Sequence, residues 1–362
     1  MSAYSEPVRE FMRKSRFSTD PAPESAEDNR AAIVSARGPS RPRIALLSNP
    51  KSTGNIAQLP RIRAFCADHP DVFHYEVEHA HQIGEAMRTI AQVRPTVLAI
   101  NGGDGTVHAA LTELYNGGHF GSDLPPVAVL PSGKTNLIAL DLGARGDPIA
   151  TLQQLIDLAG GDLTRFTVAR ELIALRQGET EARPVIGMFL GGAGLADTML
   201  YCRNKIYPLG LPNGISHLLA GIALLMRLLF RINASFLPPR PALLTVSTRN
   251  EGAIQGRFSL LGVTTLEKLL LSGELGGKGS GALKLVAIEE RPSSVLRALW
   301  ASLVGKLGRA HVRGVHFEEA DEIVIEGERS NVILDGEMFS AERGFPIQLT
   351  PAQPLSFVKL AA

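Results

Sequence analysis

The chain has little of what marks several broad protein classes. Two cysteines, Cys66 and Cys202, stand among 362 residues. That number excludes a disulfide framework or a cysteine-built zinc site, and both read as apolar residues of a reducing compartment. Charge of one sign is also missing. Thirty-seven Lys and Arg against 36 Asp and Glu leave a formal net charge of +1, so no basic field points to nucleic acid. No stretch reaches the roughly 18 apolar residues that span a bilayer. The nearest approach, Leu218 to Phe230, contains Arg227 and is followed by Arg231. It reads as a buried helix; an interfacial helix is the alternative, since the two arginines lie four apart on one face. On that alternative Arg227, Arg231, Lys205 and Arg240 face anionic lipid, with solvated surface as the default.

The first residues, to about Arg41, are polar and rich in Ser, Pro, Glu and Arg, without the apolar core of a signal peptide. They predict a mobile tail (1–41) on a protein that is not secreted. Pro7 to Phe17 places Val8, Phe11, Met12 and Phe17 among Arg and Lys; disorder is preferred there over an amphipathic segment. His79 and His81 lack a third metal ligand at suitable spacing and read as loop residues.

What is present is ordinary globular material: 44% hydrophobic, 20% charged and long enough for two domains. Apolar runs at Ile44–Ser48, Phe73–Val77, Val97–Ile100 and Val127–Leu130 alternate with helical patterns at Arg61–Asp68, Ile83–Val93, Thr106–Tyr115 and Thr135–Leu142. Such alternation predicts an α/β domain (42–164) with a parallel sheet flanked by helices. A last helix, Pro148–Ala159, opens with proline and stops at Gly160-Gly161. Short β-rich runs then dominate, from Phe166–Leu175 to Val332–Leu334, broken by helical patches at Ile215–Phe230 and Ser293–Leu307. They predict a mainly antiparallel β-sandwich (165–340). The segment 341–362 is a candidate to return to the first domain.

Chemistry concentrates where the first strands end. The third runs into Asn101-Gly102-Gly103-Asp104-Gly105-Thr106 and then into a helix. Glycines at a helix start let backbone N–H groups approach a phosphate, and the helix dipole favours the anion. Asp104 repels that phosphate unless it faces a cation or takes a proton, a combination that points to phosphoryl transfer. The first strand runs into Asn49-Pro50-Lys51-Ser52-Thr53-Gly54 and the fourth into Pro131-Ser132-Gly133-Lys134-Thr135-Asn136. In an open parallel sheet all three loops share one crevice beyond the strand ends. Ser132 to Thr135 is not a P-loop, because the required glycine is Ala128; Lys134 can still approach a phosphate. Far along the chain, Val332-Ile333-Leu334 ends in Asp335-Gly336-Glu337, which is either a simple Asp-Gly turn or a pair of working carboxylates.

These segments, in this order, resemble the diacylglycerol kinase catalytic family, which includes bacterial lipid kinases, sphingosine kinases and ceramide kinases. The resemblance runs from about Arg43 to the C-terminus, and Gly192-Ala193-Gly194-Leu195-Ala196-Asp197 looks like the family's Gly-x-Gly segment. It implies a phosphofructokinase-like or NAD-kinase-like first domain that binds ATP, a β-sandwich that supplies the lipid pocket, and a cleft between them. It implies Glu337 and Asp104 as catalytic residues, with Asp104 also tied to Mg2+ through the phosphates. The implied nucleotide ligands are Asn49, Pro50, Ser52, Gly54, Gly102, Gly103, Gly105, Thr106, Gly133, Lys134, Asn136 and Asp335. A lipid partner, peripheral contact with the inner membrane face, a cytoplasmic location and an oligomeric state open to a dimer follow as expectations.

Three departures stand out. Ala109 occupies a position where the family carries glutamate. Lys134 and Leu137 replace the threonine and aspartate of its Gly-Thr-x-Asn-Asp pattern. Ser280-Gly281-Ala282-Leu283 replaces an Asp-Gly-x-Leu segment linked to a structural magnesium, so that metal site is expected to be absent. Ala109 and Leu137 motivate one alternative, a degenerate nucleotide- or lipid-binding relative; the Gly102-Gly103-Asp104-Gly105-Thr106 loop, which resembles that of NAD kinases, motivates another, an NAD-kinase-like enzyme with a soluble acceptor.

Overall fold

The computed structural model describes residues 43–133, 136–178, 183–206, 208, 219, 223, 226–227, 237–249, 252–266, 268–269, 272–274, 281–304, 307 and 311–360. The N-terminal segment to Arg41, Lys134, Arg231, Ser280 and most of Leu218–Phe230 lie outside these residues. Among the described residues no helix is long and apolar enough to cross a membrane.

Four strands, β1 (Ile44–Ser48), β2 (Val72–Glu76), β3 (Val97–Gly102) and β4 (Val127–Pro131), pair in parallel in the order β2-β1-β3-β4. β1 and β3 are buried along their whole length. That is why they read as unbroken apolar runs rather than alternating ones. The helices between them are α1 (Asn55–Asp68), α2 (Ile83–Val93), α3 (Asp104–Asn116), the short α4 (Leu137–Asp141) and α5 (Pro148–Ala159). α1 starts six residues before the expected Arg61 and carries Pro60 inside. Proline leaves the carbonyl four residues back without a helical donor, and here that residue is the exposed Ile56, whose carbonyl water can satisfy.

The parallel strands do not end the sheet. Its ten strands continue through β18 (Ile347–Val358), β15 (Ile323–Gly327), β8 (Leu244–Thr248) and β9 (Gly252–Gly256), with β5 (Thr167–Gln177) on β18 and β6 (Val185–Gly187) on β5. β18 meets β4 in parallel at Phe357–Val127 and pairs antiparallel with β5 over most of its length.

A six-stranded antiparallel sheet is built from β14 (Val315–Ala320), β13 (Leu283–Glu289), β10 (Phe258–Thr264), β7 (Phe189–Gly192), β16 (Ser330–Leu334) and β17 (Glu337–Ala341), in that order. Its inner face meets the antiparallel part of the larger sheet. Leu190, Val263, Leu285 and Val332 from one side pack with Ile173, Val246, Ile325 and Leu349 from the other. The result is a β-sandwich fused to an α/β layer, which agrees with the fold class expected from the sequence. Helices α6 (Gly194–Tyr201) and α7 (Pro292–Leu303) belong to this second half, as does a two-stranded ribbon of β11 (Lys268–Leu269) and β12 (Ser272–Glu274).

Candidate active site

The three loops at the ends of β1, β3 and β4 are tied to one another mainly by side chains of Asn and Ser. Asn55 Nδ2 donates to the carbonyls of Asn49 (2.8 Å) and Asn101 (2.9 Å). Asn49 Nδ2 donates to Thr106 Oγ1 at 2.9 Å. Ser52 Oγ donates to the Ser132 carbonyl at 2.8 Å, and the Gly54 N–H reaches the same oxygen at 3.0 Å. Asn101 bonds Ser48 Oγ at 3.0 Å and accepts from Ser132 Oγ. Asn136 closes its own loop, accepting from the Gly133 N–H at 2.6 Å and donating to the Gly133 carbonyl at 3.0 Å. Asn49, Ser52 and Thr106, which the resemblance lists as nucleotide ligands, therefore also spend their side chains on holding the crevice together.

Glycine is required where these loops touch. A Cβ on Gly54 would lie 2.5 Å from the Ser132 carbonyl oxygen, and one on Gly133 would lie 3.0 Å from the Gly103 Cα. Gly103 caps α3 without a side chain. Its carbonyl accepts from both the Thr106 and Val107 N–H groups, so the Asp104 and Gly105 N–H groups have no partner within the helix. Backbone donors, a helix dipole and absent side chains make this rim suited to phosphate.

Asp335 and Gly336 form the two-residue turn of the β16–β17 hairpin. Both have positive φ, 44° and 98°, and Leu334 pairs directly with Glu337. An Asp-Gly pair favours such a turn because both central residues must be left-handed. The turn reading of the sequence is thus correct. The turn sends Asp335 inward, where it accepts from the Met188 N–H (2.7 Å) and the Phe189 N–H (3.0 Å). Only glycine fits beside it, since a Cβ on Gly187 would lie 2.6 Å from Asp335 Oδ2. Burial pushes the Asp335 carboxyl up to about 7, against those two donors, and the charge of Asp104 adds to the rise.

Glu337 goes the other way. Its Oε1 lies 3.4 Å from where a Cβ on Gly105 would be, and a Cβ on Gly336 would lie 4.0 Å from the Asp104 Cβ. The hairpin therefore delivers the distant carboxylates to the start of α3. Asp104 is itself raised by burial. Among the described residues no group of three or more His, Cys, Asp or Glu could hold a metal alone. Magnesium is commonly held by one or two carboxylates together with phosphate oxygens, and Asp104 beside the phosphate-ready amides fits that mode.

Sequence reasoning gave no role to Asn55, Asn101, Gly187 or His108. The first two were visible as polar residues beside apolar or glycine-rich runs. Gly187 gave no signal. His108, one turn beyond Asp104, is buried with no protein partner for Nδ1, and burial pushes it down to about 4. Nearby, Lys51 Nζ lies 3.2 Å from His79 Nε2, and the His79 and His81 rings stack at 5.4 Å. One expectation is corrected: Arg227 does not face lipid. It is buried, donating to the Pro239 carbonyl and pairing with Glu290 at 3.3 Å.

The comparisons agree with this fold. The diacylglycerol kinase catalytic domain model matches residues 43–170. A solved structure described as a diacylglycerol kinase of Bacillus anthracis str. Sterne superposes with a TM-score of 0.57 at 14% identity, covering 88% of this chain and 96% of that chain. Another, described as a candidate diacylglycerol kinase of the same organism, gives 0.58 at 16% identity with the same coverage. At such identity the structural likeness is one of fold. No curated protein matches the chain. Fold and domain match point to one class of similar proteins, the diacylglycerol kinases: the fold is theirs across most of the chain, and the similarity to their catalytic domain lies in residues 43–170.

Proposed function

We propose that the chain is an ATP- and Mg2+-dependent lipid kinase that phosphorylates a hydroxyl of a diacylglycerol-like or long-chain lipid. The observation that carries this reading is the approach of Glu337 to Gly105, and of its neighbour Gly336 to Asp104, at the start of α3. It puts a free carboxylate within reach of the place where a terminal phosphate would rest.

Mg-ATP supplies the phosphoryl group and part of the charge neutralisation. The chain's own residues do the rest. The Asp104 and Gly105 N–H groups orient the phosphate. Asp104 holds a position where a cation favours its ionised form, reversing the effect of burial. Glu337 would accept the proton of the acceptor hydroxyl as its oxygen bonds the γ-phosphorus and the bond from that phosphorus to the bridging oxygen breaks, with ADP leaving. Asp335 holds the hairpin that carries Glu337 by gripping the β7 entry through two amides. The acceptor class is tested by transfer from labelled ATP to lipids in mixed micelles, with Glu337→Gln as control. Label on a lipid that the variant cannot make supports the reading; label on NAD instead would overturn it.

A further inference from the structure

Helix α7 is apolar on two faces. Ser294, Ala298 and Ala301 are buried against the six-stranded sheet, beside a small cluster of Val286, Ile288 and Val315. The opposite face carries Leu296, Leu299, Trp300, Leu303 and Val304, each between 48% and 74% exposed. Their spacing makes one stripe about 140° wide along the helix. Among the described residues nothing covers it. Trp300 is the only tryptophan of the chain.

In sequence, the charges within and just after the helix have one sign. From Arg291 to Gly314 the sequence holds Arg291, Arg297, Lys306, Arg309 and Arg313, and no Asp or Glu. Arg297, the only charged residue within α7, lies on the flank of the stripe and donates to the Arg313 carbonyl at 2.6 Å. The two acidic residues just before this segment are engaged: Glu290 with Arg227 and Arg240, Glu289 with Arg291 and His316.

We propose that this face of α7 is a docking surface for an anionic lipid bilayer, with Trp300, Leu299 and Leu303 entering the headgroup–acyl boundary and Arg297 and Arg313 meeting lipid phosphates. An exposed apolar stripe bordered by basic residues is the pattern of an interfacial helix, and tryptophan suits that boundary. A second copy fits less well. The five exposed side chains of the stripe together present on the order of 500 Å² of accessible surface, short of the roughly 800 Å² per partner in a stable interface. A two-fold pairing would also set Arg297 near its own copy.

The inference deepens the lipid-kinase reading by naming the surface through which the lipid is reached. Its test needs no turnover, so either can fail alone. The full chain is titrated with vesicles of phosphatidylglycerol and phosphatidylcholine in equal parts, and with phosphatidylcholine alone, while Trp300 emission and co-sedimentation are followed. A blue shift and binding on the anionic vesicles are expected. Leu299→Glu/Leu303→Glu should lose about tenfold or more of that binding with unchanged melting, and Arg297→Glu should bind more weakly. No binding, or equal binding by the double variant, would overturn the proposal. So would a Trp300 shift that follows protein concentration without vesicles, which would assign the face to a second copy.

Discussion

Glu337 and Gly105 meet across the start of α3: a Cβ on the glycine would stand 3.4 Å from Glu337 Oε1, at the edge of van der Waals contact. The two residues are separated by most of the chain and brought together by one hairpin turn.

Gly105→Ala should therefore separate stability from activity. The crowded atom is the end of a flexible side chain, and alanine is the better helix former by about 1 kcal/mol. Melting at or above the unmodified chain is expected, with turnover down roughly tenfold or more because Glu337 is displaced. Unchanged turnover would place the working carboxylate elsewhere.

Gly54→Ala should behave in the opposite way. Its Cβ would lie 2.5 Å from a backbone oxygen, that of Ser132, which cannot swing aside. A loss of about 1–3 kcal/mol is expected in denaturant unfolding, with weaker nucleotide binding by calorimetry as the loops are forced apart.

Asn55→Ala removes two of the hydrogen bonds that join the β1 and β3 loops, while the Asn49 and Asn101 carbonyls keep the backbone donors Ser52 N–H and Asn49 N–H. A destabilisation of about 1–2 kcal/mol is expected. A higher KM for ATP should accompany it, and an unaltered KM would show that the crevice does not depend on this link.

The pH dependence of stability has two opposed contributions at this site. Asp335 is raised to about 7 in the folded chain, so between about 4 and 7 the folded state holds the extra proton, and stability falls as pH rises. Asp104, also raised, acts in the same sense. His108 is lowered to about 4, so between about 4 and 6.5 the unfolded state holds the extra proton, and stability rises with pH. Unfolding measured from pH 4 to 7 should show a more negative slope in His108→Asn and a more positive one in Asp335→Asn. Slopes that move the other way would mean that these groups do not titrate as their burial implies.

Much of the α/β half was legible because buried parallel strands leave unbroken apolar runs, as in Val97 to Ile100, and because Gly102, Gly103 and Gly105 mark a chain that must approach something closely. The carboxylates were legible as types. Their geometry was not: nothing local says that Asp335 turns inward onto the Met188 and Phe189 amides while Glu337 turns outward. β17 escaped notice because Glu337–Ala341 lies at a sheet edge and is half exposed, without clear alternation. The exposed stripe of α7 reads in sequence like any buried helix face, since composition does not reveal which of two apolar faces is covered.

The most direct measurement is transfer of labelled γ-phosphate from Mg-ATP to diacylglycerol, monoacylglycerol, sphingoid base, ceramide and phosphatidylglycerol in mixed micelles, by the unmodified chain and by Glu337→Gln. The account expects one acceptor class to take label, a loss of about 10²–10⁴-fold in the variant, and retained ATP binding in both. Equal transfer by Glu337→Gln, or ATP binding with no lipid labelled, would contradict it.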